Sequence, residues 1–425
     1  MTILTFIGVL LVVIALGTPI AFSLLICAVA LMIQMDNFDT QIIAQNLMEG
    51  ANNFPLMAVP FFMLAGELMN AGGMSQRIVG IAQALVGQVR GGLGYVAILA
   101  ATIVASISGS AVADSAVVAA LLIPMMRESG YNVPRSAGLI ASAGIIAPII
   151  PPSIPFVVFG VTTQLSITKL FLAGIVPGLL WAITLSVTWW FVAKKEPTGS
   201  QHKFDLGNCF KALREGIWAL ILPVVIIGGM KIGVFTATEA AVVAVFYALV
   251  VGLFIYGELR FRQLPAILLS ALKTSSTIMF LVACAMVSAW LITIADIPTQ
   301  TVALLQPFMD SPTLLLLVIM VLVLIIGTSL DLMPSILILG PILVPVVKQA
   351  GIDPVYFGVL FVMNVSLGLL TPPVGTVLNV VGGVSKAGMA NVIKGVWPFF
   401  FAEAGLLFLL VLFPQLVLVP MKWFM

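Results

Sequence analysis

Ala147-Pro-Ile-Ile-Pro-Pro-Ser-Ile-Pro155 sets four prolines, Pro148, Pro151, Pro152 and Pro155, inside an otherwise apolar run at 135–165. A helix cannot continue through such a stretch, because each proline lacks the amide proton and clashes with the preceding turn. One proline would make a kink; four make a break. A second break, Thr371-Pro-Pro-Val-Gly-Thr376, interrupts the apolar run 354–383. Unpaired backbone at membrane depth is tolerated only where it is buried in protein or lines a cavity.

The rest of the chain supplies the membrane. Of 425 residues, 61% are hydrophobic and 8% charged, whereas a soluble domain is nearer a quarter charged. Candidate spans run roughly 1–16, 18–34, 54–72, 92–108, 115–128, 135–165, 170–193, 216–232, 236–257, 264–295, 312–328, 334–349, 354–383 and 395–420. Gly17–Pro19 reads either as a turn between two helices or as a kink in one. The segment 194–215 reads as a polar linker carrying Lys194, Lys195, His202, Lys203, Lys211 and Arg214. With that linker and Arg77, Arg90, Arg127, Arg135, Arg260 and Arg262 placed inside, the acidic stretch 35–53, Asp296, Asp310 and Asp353 fall outside. Both termini then come out periplasmic, in an inner membrane.

A repeat organises these spans. Pro345 and Pro124, Pro372 and Pro151, and Pro398 and Pro177 each lie 221 residues apart, as do Gly351 and Gly130. The positive residues bracket the first unit and the acidic ones the second, so the repeats read as inverted, the architecture of secondary transporters with a site at the midplane. Each unit also carries a small, polar, aspartate-containing tip, Ala105–Ala116 and Gly327–Ser335. The flanking arms, about 25 Å long at 1.5 Å per residue, suit re-entrant hairpins at 92–128 and 312–349, the alternative being two full spans. The fold class is an all-α polytopic membrane protein.

A helix that stops at the midplane leaves carbonyls unpaired at its negative end, which suits a hard cation. Ser108, Ser110, Ala147, Ile150 and Pro152 form one candidate sodium cage. The 221-residue shift gives a second from Ser329, Asp331, Gly368, Thr371 and Pro373. A carboxylate at membrane depth is costly, so Asp331 reads as an ion ligand, with N-capping the alternative; Asp114 reads as a helix cap. Ser153, Thr376 and Asn379 follow the breaks, where helix N-termini attract anions, and are candidate substrate contacts or ordinary caps. Glu67, Glu239 and Lys273 read as scaffold charges, and Cys27 and Cys284 as packing residues. A sole histidine and three scattered cysteines exclude histidine-cluster metals, disulfide frameworks and Ser-His-Asp or Cys-His catalysis, so the chain is not expected to be an enzyme. No cofactor is expected beyond sodium as coupling ion, and no nucleic acid partner.

The tips SISGSAVADSA and GTSLDLMPS, the breaks PIIPPSIP and LTPPVGT, and the early GTPIAF together resemble the large membrane subunit of tripartite ATP-independent periplasmic (TRAP) transporters along essentially the whole chain. The resemblance implies an elevator driven by sodium, a small four-helix membrane subunit expected here as a separate chain, and a periplasmic substrate-binding protein. It implies organic acid anions as substrates, C4-dicarboxylates or sialic acid, the latter preferred. On that plan 1–90 are scaffold helices, 91–165 the first transport-domain part, and 166–215 a connecting helix and cytoplasmic linker. Residues 216–311 are scaffold again, 312–383 the second transport-domain part, and 384–425 a C-terminal arm and helix. The rival readings are a proton-coupled or exchanging transporter of the same fold and a channel.

Overall fold

The computed structural model describes residues 2–196 and 205–424, and every regular element among them is helical. His202 and Lys203 lie outside the described residues. The chain opens with α1 (Thr2–Ala15) and α2 (Ile20–Gln34), which pack on each other across a turn at Gly17, φ +81°. Gly17–Pro19 is therefore a turn between two helices. Next come α3 (Thr40–Ala51), α4 (Ala58–Ala71) and α5 (Met74–Val86), then α6 (Gly92–Ser108) and α7 (Ala111–Glu128), joined by two residues. Helices α8 (Val133–Gly144) and α9 (Ile154–Thr163) flank the first proline break, followed by α10 (Ile167–Val192).

The second half contains α11 (Leu206–Lys231), α12 (Ala237–Val250), α13 (Leu264–Ile294) and α14 (Ile297–Leu305). It continues with α15 (Pro312–Gly327) and α16 (Leu332–Gln349); then α17 (Pro354–Gly368) and α18 (Thr376–Ser385) flank the second break, and α19 (Met389–Leu412) and α20 (Gln415–Phe424) end the chain. Among the described residues seven helices are long and apolar enough to cross a membrane, or eight if the pair bent by 119° before α15 counts as one span. The chain is thus a multi-pass membrane protein. Helices α6, α9, α17 and α18, at 10–17 residues, are shorter than that.

Several boundaries differ from those read off the sequence. The linker 194–215 is shorter, because Asp205 accepts the Gly207 N–H at 2.9 Å and starts α11 ten residues early. No proline or glycine pair interrupts that polar turn, so the helix runs on past the apolar segment. Helix α3, capped by Asp39, lies in the acidic stretch 35–53, which the sequence places outside without assigning it an element, and α5 and α14 are likewise absent from the candidate spans. All three lack the long apolar run that marks a span. The run 395–420 is two helices, separated at Phe413–Pro414.

Two sets of helices can be followed through the packing, and they also touch each other through α5 and α6 and through α13 and α16. Helix α13 lies against α2, α3 and α4, α4 against α12, and α11 against α5. In the other group α7 packs on α18 and α16 on α9, so each tip-forming helix leans on the far side of the other break. Helices α8 and α19 meet at glycines: a Cβ on Gly138 would strike the Gly395 backbone, and one on Gly395 the Pro134 carbonyl. Small residues permit such backbone approach between membrane helices. Helices α7 and α16 start 221 residues apart (111 and 332) and end 221 apart (128 and 349).

Candidate functional site

Helix α6 ends at Ser108, and Gly109 turns the chain with φ +62°. Ser110, in extended backbone, caps α7 by accepting the Ala113 N–H at 3.4 Å. Asp114 is therefore not the cap the sequence suggested. The capping hydroxyl must sit on the last extended residue, and Asp114 lies a full turn inside the helix. Asp114 is instead buried; it accepts a hydrogen bond from the Ser108 hydroxyl on Oδ1, while its Oδ2 and the neighbouring Ser115 hydroxyl have no partner.

This tip is seated on the first break. A Cβ on Gly109 would collide with the Pro152 carbonyl, and Gly174 lets α10 approach the Ile149 carbonyl equally closely. Pro151–Pro152 is a cis bond. Ser153 caps α9 through the Phe156 N–H at 3.2 Å and donates to the Pro148 carbonyl. The carbonyls of Ala147, Ile150 and Pro152 accept no hydrogen bond from the described residues, although all three residues are buried. Buried backbone oxygens are almost always paired, so this loop presents an oxygen-rich, partnerless surface beside Ser108 and Ser110. A cation fits it.

The second break is built differently in detail. Asp331 occupies the N-cap position of α16 but makes no side-chain cap bond; its Oδ1 accepts the Thr376 hydroxyl at 3.2 Å. Thr371 donates through its hydroxyl to the Gly368 carbonyl at 2.9 Å, and its N–H reaches the same oxygen at 3.0 Å, so that carbonyl is already used. A Cβ on Gly368 would strike the Gly327 carbonyl, which fixes the close contact of α17 with the end of α15. Ser329 and Pro373 are exposed, and the Val374 N–H reaches the Thr328 carbonyl at a long 3.5 Å. Pro372–Pro373 is cis.

Both tips open on one cavity of about 980 Å³. Ser110–Ala113, Ile154–Pro155 and Asp331–Pro334 line one side, and Met63 and Glu67 of α4 with Thr274, Ser276 and Thr277 of α13 line the other. The N–H groups of Ala111, Val112, Ile154, Leu332 and Met333 take no acceptor among the described residues, and first-turn amides of this kind favour anions. Of the candidate substrate contacts, Ser153 is turned into the break and none of Ser153, Thr376 and Asn379 lines this cavity. Asn379 donates to the Val374 carbonyl at 2.5 Å. The α13 hydroxyls went unread in the sequence, since serine and threonine inside a long helix give no local signal. Glu239 closes a capping box with Thr236, Lys273 is exposed, and Cys27 and Cys284 are buried.

The chain is similar to proteins of one transporter family. The family model described as tripartite ATP-independent periplasmic transporter, DctM component, matches residues 7–416. The 2,3-diketo-L-gulonate TRAP transporter large permease protein YiaN of Escherichia coli is 56% identical over 423 residues, covering 100% of both chains. The sialic acid TRAP transporter large permease protein SiaM of Vibrio cholerae is 38% identical, covering 96% of each. The crystal structure of the YdaH transporter of Alcanivorax borkumensis has a similar fold, with a TM-score of 0.64 at 14% identity, covering 87% of this chain and 86% of that one.

Proposed function

The chain belongs to the DctM family, the large permease of tripartite ATP-independent periplasmic transporters, and from that premise we propose that it performs sodium-driven uptake of an organic acid anion. It is a transporter component and not an enzyme. The family works with a small membrane subunit and a periplasmic binding protein; here a separate four-helix subunit would brace the permease and the binding protein would deliver the anion. The matching bounds of α7 and α16 support a repeat, which we read as inverted, with α6–α7 and α15–α16 as its two re-entrant hairpins. The helix group carrying tips and breaks would then move as an elevator against the group around α13. The setting is the bacterial inner membrane, with both termini periplasmic.

The observation that carries sodium coupling is the set of unpaired buried carbonyls at Ala147, Ile150 and Pro152 beneath the Gly109 tip. Asp331 would supply the second ion's carboxylate. Because Asp331 also lines the cavity, an ion there would offset its charge toward an incoming anion, so that ion and substrate bind together. The greater identity to YiaN than to SiaM moves the preferred substrate from sialic acid to a sugar acid of the diketogulonate kind. The test is uptake of 2,3-diketo-L-gulonate by proteoliposomes holding both membrane subunits, with its binding protein outside. A sodium gradient should drive concentrative uptake; uptake driven equally well by a proton gradient without sodium would refute the coupling.

A further inference from the structure

The two walls of the cavity have opposite hydrogen-bonding character. The wall made by α7, α9 and α16 presents amide donors and the free proton of Ser110, and its one carboxylate is Asp331, which accepts the Thr376 hydroxyl and is assigned above to the second ion. The wall made by α4 and α13 presents oxygens. Glu67 accepts the Ser270 hydroxyl on Oε1 at 3.3 Å, and its Oε2 takes no partner among the described residues. The Thr274 hydroxyl donates to the Ser270 carbonyl at 3.1 Å, and those of Ser276 and Thr277 to the Lys273 carbonyl at 3.1 and 3.0 Å. With their protons turned into the helix, these three hydroxyls offer the cavity only lone pairs.

We infer that the α4–α13 wall reads the hydroxyl groups of a polyhydroxylated monocarboxylic acid, and that Glu67 is a specificity-determining residue. The inference rests on the cavity being the uptake site proposed above. A molecule with a carboxylate at one end and hydroxyl donors at the other satisfies both walls at once. A dicarboxylate of similar length satisfies the amide wall but brings a second acceptor group to a wall without donors. Thr274, Ser276 and Thr277 are exposed to the open cavity; a bound acid would cover them, polar groups covered without partners are costly, and sites built to pair a hydroxyl discriminate strongly against analogues that lack it. The cavity volume of about 980 Å³ accommodates a six-carbon acid.

The experiment uses the complex of large and small subunits in detergent with sodium chloride, and follows its melting temperature against concentrations of D-gluconate and of succinate. Wild type should be stabilised by gluconate at concentrations where succinate has no effect. Glu67→Gln should lower the gluconate-to-succinate affinity ratio at least tenfold, and Thr277→Val, which removes an acceptor from the same wall with little change of shape, at least threefold. A merely structural role would weaken both acids together. Unchanged ratios in both variants, or a wild type that binds succinate as well as gluconate or binds gluconate not at all, overturn the inference. Ala116→Trp, which fills the cavity, separates this from the parent reading. If it still binds gluconate as wild type does, the cavity is not the site. If it blocks binding while the Glu67→Gln and Thr277→Val ratios stay unchanged, only the acceptor wall is refuted.

Discussion

Gly109→Ala tests the proposed first sodium cage by a single methyl group. At φ +62° an alanine costs about 1–2 kcal/mol in backbone conformation. Its Cβ would also meet the Pro152 carbonyl with no room to spare, and such overpacking costs typically about 1–3 kcal/mol. Gly351 supplies the matched control: it has φ +72°, but nothing lies within 4 Å of its added Cβ. Gly351→Ala therefore carries the backbone cost alone, in a loop between α16 and α17 remote from either break. If the cage forms only when the tip rests on Pro152, the difference between the variants comes out of sodium binding. At about 1.4 kcal/mol per decade, half-activation of uptake by sodium should shift about 5- to 150-fold for Gly109→Ala and stay near wild type for Gly351→Ala. The assay is initial uptake against sodium concentration in proteoliposomes, normalised to folded permease. Equal sodium curves for the two variants would refute the reasoning.

Asp331→Asn should raise the sodium concentration for half-maximal uptake while leaving expression intact, since Asp331 contributes no cap bond to α16; an unaltered sodium curve would remove it from the cage. Transport of a monoanion should use at least two sodium ions and be electrogenic. Thousandfold accumulation costs about 4.2 kcal/mol, and one ion on a tenfold gradient supplies only about 1.4 kcal/mol, whereas a second also brings the membrane potential to bear; uptake insensitive to an imposed potential would leave one cage without an ion. Arg127→Gln should lower the melting temperature of the complex, because the guanidinium donates to the Ser385 carbonyl at 2.6 Å and ties α7 to the C-terminal end of α18. A bond with a charged donor contributes about 1.5–3 kcal/mol, so an unchanged melting temperature would show that packing alone holds this pair.

How much of this was legible in the sequence depends on whether the signal was local. Proline breaks are local, and both lie where the sequence put them. So are the glycine and serine tips, because only a residue free to take positive φ can sit at Gly109. Capping was half legible. Ser110 and Asp114 are both capping residue types four positions apart, and the choice between them rests on which residue the hairpin leaves extended. The acceptor wall was not legible at all. Glu67 and Thr277 are 210 residues apart in sequence, each looks like an isolated polar residue in a membrane helix, and the orientation of the hydroxyl protons exists only once α13 has formed. The short amphipathic helices α3, α5 and α14 escaped for the opposite reason, since hydropathy finds spans and they are not spans.

The division of donors and acceptors between the walls bears on the proposed movement. An elevator carries its substrate with the mobile group, so contacts to the other group must break in every cycle. Here the amide donors sit on α7, α9 and α16, together with the Asp331 carboxylate of the second candidate ion cage, and the remaining acceptor side chains sit on α4 and α13. The substrate carboxylate would thus travel with the sodium ions while the hydroxyl end is released from Glu67 and the α13 row. Interactions made only in the loaded, unmoved state raise selectivity of loading without travelling with the substrate, but each also deepens the well from which the group must depart. Hydroxyl contacts of about 0.5–1.5 kcal/mol each to the α13 row, with about 1.5–3 kcal/mol for one to the Glu67 carboxylate, suit that position better than a bidentate arginine clamp would. They are strong enough in sum to reject a dicarboxylate at loading, and weak enough one by one to be released. On this argument Glu67→Gln should relax selectivity while leaving the maximal rate unchanged or raising it, and a fall in maximal rate with selectivity preserved would place Glu67 in the movement instead.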